Sequence, residues 1–494
     1  MKIIKIVLIS MLLLTASLSV QCLADDVTAS DDIDVSNGAW EILVRKYDNP
    51  YAAVTSQDTP DSMSIEVLAS WWETLEDETL TELILWSLDN NKDLQAARAK
   101  VTEARATLGI SKTATLPWLD NTDSWTRGKT PVNSTGNGVP VEIYRLGIDA
   151  NWEIDIFGGQ RDKVNAASAA LEAEHASMHA AWVTLSSEVA LNYLTLRTLQ
   201  ERLNIANNNL ALQEETLEML SSQYEAGLMD SLALNQAQYT AMQTKASIPP
   251  IKANIENVMN SLAILVGRVP GSLEEMLDKP KSLPRPYAVN LVGIPADAIR
   301  QRPDIRAAER QLASQIARKK SSEKDLLPKF TLFGSIGLES LSTGNWFSSD
   351  SFSYSFGPRI TLPIFHGGAI RKNIKVQTAR EEQYLAAYEQ AVLGAVAEVR
   401  NALAENTQEI ERNNSLRSGI AAARAALDVA EDKYKNGLTD FSNVIGAQSA
   451  LLSLEDQFTV SEGQMTSNIV RIFKALGGGW APMTAENAQA DPTR

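Results

Sequence analysis

The sequence predicts a mainly α-helical protein with a small β part, built from one structural unit used twice. Three observations carry this. First, residues recur at a fixed distance. Tyr224, Gly227, Leu228, Asp230, Ala237 and Gln238 return as Tyr434, Gly437, Leu438, Asp440, Ala447 and Gln448, each 210 residues on. Glu188 and Glu398, and Gly267 and Gly477, keep that offset, and upstream it is 211, as for Asp93 and Asp304 or Pro117 and Pro328. A repeat this long is a duplicated unit and not a solenoid period. Second, Trp182, Val189, Leu196, Leu203, Leu210, Leu217 and Tyr224 are spaced by sevens, the signature of coiled-coil packing. Third, Leu146, Ile148, Ala150, Trp152, Ile154 and Ile156 alternate with Arg145, Gly147, Asp149, Asn151, Glu153 and Asp155. That is the period of a β-strand with one apolar face.

In chain order, Lys2 and Lys5 precede the apolar run Ile6 to Leu18, the pattern of an export signal too short to span a bilayer comfortably. Cys22 is the only cysteine, so no disulfide forms within the chain. It is a candidate lipid anchor, and cleavage after Ala24, which would remove it, is the competing fate. No later run reaches the ~18 apolar residues of a transmembrane helix, so a membrane-inserted form must be a β-barrel. The net charge of −16 argues against nucleic acid, which needs basic surface. It suits a surface or pore that favours cations.

Residues 25–70 are a polar extension. A helix is expected from about Leu80 to Thr115, stopped by Pro117. A polar strand follows at Trp118 to Arg127, then a loop around 128–138 and the alternating strand, closed by Phe157-Gly158-Gly159. From Gln160 to Ala226 there is neither proline nor glycine; at 1.5 Å per residue this helix is about 100 Å long. Gly227 ends it as a C-terminal glycine, and Asp230 or Ser231 caps the returning helix. Pro249-Pro250 is expected to interrupt that helix before Gly267.

A proline-spotted linker at 269–294 separates the first repeat, 71–268, from the second, 295–480; a polar tail covers 481–494. The second repeat is expected to run as one helix from about Pro295 to Leu326 and then strands around 330–338 and 352–364. A long helix with Val392, Val399, Ile420, Leu427 and Tyr434 on the same grid follows. Asn406 and Asn413 interrupt the grid, which predicts a wetter or weaker seam there and makes the second hairpin the candidate for the part that opens. Gly437 to Asp440 repeats the reversal, and Gly477-Gly478-Gly479 terminates the last helix.

Four strands cannot enclose a lumen, and bare apolar strands are unstable alone. Oligomerisation resolves this: three chains supply twelve strands, with two or four chains left open by lengths alone. Trp71-Trp72, Arg302-Pro303-Asp304-Ile305, Phe157-Gly158-Gly159, the paired Tyr-x-x-Gly-Leu-x-Asp turns and the Leu-Gly-Gly-Gly-Trp end together resemble the TolC-like outer-membrane factors, of the NodT type, over residues 65–480. The resemblance implies a homotrimer with a twelve-stranded outer-membrane β-barrel on a periplasmic α-helical barrel. It further implies a periplasmic membrane-fusion adaptor and an inner-membrane transporter of the RND type, with the chain in contact with outer-membrane lipid. The function implied is passive exit of drugs or other toxic compounds; a type I protein secretion duct and a soluble periplasmic coiled-coil adaptor are the alternatives.

The candidate site is the pair of tips: Tyr224, Gly227, Leu228 and Asp230 with Tyr434, Gly437, Leu438 and Asp440. Capping alone would account for the glycines and aspartates; the resemblance implies that the tunnel closes and the adaptor docks here, and the repetition of Leu and Asp beyond glycine alone favours that reading. Similar channels carry an acidic residue before the Ala-Gln of the second tip, but Gly446 stands there, so an acidic ring at that spot is not expected. His175 and His179 are one helical turn apart but lack a third ligand, and solvated histidines are the simpler reading. No nucleophile-base pairing or cofactor fingerprint is present, so neither catalysis nor a cofactor is expected.

Overall fold

The duplication read from the sequence is a duplication of structure. The computed structural model describes residues 68–133, 138–284 and 296–480, all within the unit spanning 54–494. The predicted signal peptide with Cys22, nearly all of the polar extension and the tail at 481–494 lie outside the described residues. A 3-10 turn, Trp71–Leu75, precedes α1 (Glu78–Asn90) and α2 (Lys92–Thr113), then β1 (Trp118–Lys129), β2 (Pro140–Ile154), α3 (Gly159–Glu225) and α4 (Ser231–Leu265). After α5 (Glu274–Leu277) in the linker come α6 (Ala296–Gln301), α7 (Pro303–Lys324), β3 (Lys329–Ser340), β4 (Phe352–Thr361), α8 (Ala369–Lys435) and α9 (Phe441–Ala475). The partners match in length: 22 residues for α2 and α7, 67 for α3 and α8, 35 for α4 and α9.

Two expectations about helices change. Each expected first helix is two helices, broken at Asn91 and at Arg302, positions 211 residues apart. The break is tertiary: the Asn91 amide donates to the Leu265 carbonyl and its Oδ1 caps Leu94, while Arg302 donates to the Ala475 carbonyl. Conversely, α4 runs straight through Pro249 and Pro250. Both prolines face solvent, while Ile248, Ile251 and Ile255 on the opposite face are buried. Packing on that face holds a helix whose propensity alone would break.

The four strands form one antiparallel sheet in the order β1-β2-β3-β4. Opposed residues share a face, so register sorts the side chains. Leu146, Ile148 and Ile154 stand opposite Leu338, Ile336 and Phe330, which in turn stand opposite Phe352, Tyr354 and Ile360. These make an apolar face. On the other face Arg145 bonds both Asp149 and Ser335, and Asn151, Ser353 and Ser355 lie alongside. Across β2, β3 and β4 the period-2 alternation therefore becomes one oily and one wet side, whereas β1 sets Asn121, Asp123, Arg127 and Lys129 on the oily side.

At every level the chain is a wall of four columns. Below the sheet the order is α2-α3-α7-α8; farther down, where the returning helices replace α2 and α7, it is α4-α3-α9-α8. The main core lies midway, where Trp71 stacks on Phe473 at 5.6 Å and Leu80, Leu83 and Ile84 pack against Val189, Tyr193 and Leu262. No helix among the described residues is long and apolar enough to cross a membrane.

Candidate functional site at the hairpin tips

Both long helices end in the same turn because both place a glycine where the backbone must turn left-handed. Gly227 and Gly437 have φ of +72° and +71°. The Leu228 N–H donates to Gln223 O and the Leu438 N–H to Lys433 O, closing identical C-terminal motifs. Each turn leaves its leucine bare: Leu228 is 78% exposed and Leu438 75% exposed. Nothing local requires an apolar side chain there.

The tips differ beyond the turn. The Asp230 carboxylate caps α4 through the Leu232 N–H at 2.9 Å, whereas Asp440, the corresponding residue, makes no side-chain cap. Instead Phe441 folds under the second tip, edge-on to Tyr434 at 5.0 Å. Phe441 joins Leu220, Ala237 and Val444 in one buried cluster that binds the two tips together. The Tyr434 hydroxyl bonds the Gln223 side chain at 3.2 Å. The eight residues singled out from sequence thus lie on adjacent tips. The cross-tip residues Gln223, Leu220 and Phe441 were not singled out, since no single-repeat motif reveals a contact between repeats.

Higher up, the seams of the two hairpins differ at three equivalent positions. In the first, Leu199 and Ile251 belong to the main core and the half-buried Leu203 packs against it. In the second, 210 residues on, stand Glu409, Asn413 and Ser461. Asn413 is only 3% exposed. It donates to Ser461, whose hydroxyl donates to Glu409 at 2.6 Å, and Arg412 closes the set on Glu409. The seam expected to be wet is polar but internally satisfied. Arg202 on α3 forms a forked pair with Asp456 on α9, the tie between hairpins at this level.

Elsewhere the chemistry is structural. Tyr193 donates to Asp77, and burial, followed by that hydrogen bond, pushes its phenol up to about 12. Beside it the buried Arg197 holds the linker through Gln200 and the Lys279 carbonyl. His179 stacks on Trp480 at 5.1 Å, so the histidine pair is half-buried packing and not the solvated pair expected. Among the described residues no cluster of metal-ligating side chains occurs.

The family described as outer membrane efflux protein matches residues 83–268 and 294–478, one stretch per repeat. Nodulation protein T of Rhizobium leguminosarum bv. viciae is 29% identical over 90% of this chain and 91% of its own length. The toluene efflux pump outer membrane protein TtgF of Pseudomonas putida is 29% identical over 88% and 92%. Among solved structures, the outer-membrane channel OprN superposes with a TM-score of 0.80 at 34% identity, over 84% of this chain and 93% of that one. The open state of the Neisseria gonorrhoeae MtrE channel gives 0.74 at 27% identity, over 86% and 95%. The chain belongs to the outer membrane efflux protein family, as an outer-membrane exit channel with a large periplasmic portion that serves an efflux system.

Proposed function

We propose that three copies of this chain close into a passive duct for small molecules, with twelve strands in the membrane and helical columns of about 100 Å below. The observation that carries this reading is the open edge at every level: β1 and β4 in the sheet, α2 or α4 and α8 in the helical wall. Each chain is a four-column arc whose strands β2–β4 carry polar residues on one sheet face and apolar residues on the other. Closure removes all edges at once. Relatives named for toluene, solvent and pyoverdine export support a small-molecule cargo. The adaptor is a periplasmic membrane-fusion protein docking on Leu228 and Leu438, and an inner-membrane RND-type transporter supplies the energy.

Opening then means parting the two tips. Phe441 packing and the Tyr434–Gln223 bond hold them closed, and the polar seam of the second hairpin makes it the moving one. Light scattering of the detergent-purified protein tests the assembly: a mass of three chains is expected, and a stable monomer would contradict it. Co-purification of adaptor with wild-type tips, and its loss with Leu228→Ser/Leu438→Ser, tests docking.

A further inference from the structure

The repeats supply the register of a contact that a single chain does not contain. Within the chain, repeat one meets repeat two through β2 and β3, whose paired residue numbers sum to 484, as in Tyr144 with Ser340 and Ile154 with Phe330. β4 corresponds to β2 at an offset of 210, since Asn151 and Thr361 occupy the same place in their hairpins. β1 corresponds to β3 at 211, as Trp118 to Lys329. Carrying the β2–β3 pairing across one repeat gives a β4–β1 pairing between neighbouring chains.

We infer that β4 of one chain pairs with β1 of the next so that Thr361 faces Thr122 of the neighbouring copy, Phe356 faces Arg127 and Tyr354 faces Lys129. The inference rests on the multi-chain duct proposed above and names its specificity-determining residues.

Three features of the isolated chain support this register. First, β2 continues to Ile154 only because Trp152, Glu153 and Ile154 pair with β3. Their equivalents Leu362, Pro363 and Ile364 have no strand opposite, and β4 stops at Thr361. Ile364 is left 90% exposed. In the inferred register these three residues meet Asn121, Asp120 and Leu119 of the neighbour, and β4 lengthens to match β2.

Second, β1 is odd on the apolar face. By register Asn121, Asp123, Trp125, Arg127 and Lys129 all share the side of Tyr144, Leu146 and Ile148. Among the described residues Arg127 meets an acidic partner only at a long 3.5 Å, in Glu142. Third, β4 presents a run of bare rings on that same side: Phe352, Tyr354 and Phe356, with the last two stacked at 6.4 Å. Opposed residues in an antiparallel pair lie ~4.5–5.5 Å apart at Cβ, within reach of a cation over a ring face. The sheet already holds a cation over a ring between diagonal neighbours, Arg359 over Phe333 at 4.9 Å. Pro358, opposite Trp125 of the neighbour, packs its ring on the indole. Pro358 and Pro363 have opposite parity, so only one of the missing N–H groups faces the seam.

The test is cysteine crosslinking in the full-length chain in cells. Thr122→Cys/Thr361→Cys treated with a thiol crosslinker about 5 Å long should give a covalent ladder up to the full oligomer, and neither single variant should. Thr122→Cys/Arg359→Cys, displaced by two residues and so ~7–8 Å apart, should react more slowly. Arg127→Ala/Lys129→Ala and Tyr354→Ala/Phe356→Ala should each weaken the detergent-resistant oligomer, and Arg127→Lys should restore most of it. Oligomers that crosslink faster through the displaced pair overturn the register and leave the duct standing. Chains that stay monomeric overturn both.

Discussion

Asn91 and Arg302, 211 residues apart, make the same connection with different chemistry. Each interrupts a helix and donates a side-chain hydrogen bond to the last carbonyl of its own returning helix, Asn91 to Leu265 at 2.9 Å and Arg302 to Ala475 at 2.7 Å. Beyond each carbonyl a glycine lies against the break: a Cβ on Gly267 would strike the Asn90 carbonyl, and one on Gly477 would meet Arg302 Cγ at 3.0 Å. Two equivalent latches therefore tie the top of each returning helix to the start of α2 or α7.

The latches are unequal. Burial alone would lower the Arg302 pKa, but Asp304 and Glu398 hold it above its ordinary value, so the guanidinium stays charged. Asn91 carries no charge. Arg302→Ala should cost about 2–3 kcal/mol, as expected for charged hydrogen bonds lost and a buried carbonyl orphaned. Asn91→Ala should cost about 1 kcal/mol, the scale of a lost helix cap. Thermal melts of the purified oligomer should rank them in that order.

Installing the first hairpin's apolar triad in the second, as Glu409→Leu, Asn413→Leu and Ser461→Ile together, should stabilise the protein. Replacing a buried polar set by packed apolar groups typically gains about 1–4 kcal/mol. The same variant should open less readily, seen as raised antibiotic or solvent sensitivity in cells that express it at wild-type level.

Leu228→Ser and Leu438→Ser should change stability by less than about 0.5 kcal/mol, because neither side chain is buried. Efflux should nevertheless fall, read as a lower inhibitory concentration of exported compounds. Gly437→Ala should cost about 1–2 kcal/mol, since its left-handed backbone penalises any Cβ.

Tyr193 predicts an alkaline limit. Its phenol is pushed up to about 12 in the folded chain by burial and then by the bond to Asp77, against ~10 when unfolded. The folded state thus keeps a proton that the unfolded state loses. The associated stability is intact below pH ~10 and is lost as pH rises through about 12. Tyr193→Phe should flatten the fall in melting temperature over that window.

Much of this was readable from residues. The 210-residue echo gave the matched helix lengths, and the glycines at 227 and 437 gave the turns. The helix breaks were hidden because apolar periodicity runs through Asn91 and Arg302, and their acceptors lie 173 or 174 residues away. Pro249-Pro250 misled because propensity is local, while the buried face at Ile248, Ile251 and Ile255 decides. Asn413 was visible as a polar intrusion, but its partner Ser461 sits on another helix. Tyr434 was singled out; its contact with Gln223 was not, since it joins one repeat to the other.

The central claim, a multi-chain duct gated at its tips, is tested most directly by single-channel recording in planar bilayers. Wild-type oligomer should show small or rare openings, and Tyr434→Phe/Gln223→Ala should raise the open conductance severalfold while the oligomer stays intact. Intact oligomers of both proteins that carry no current, or identical current, would contradict it.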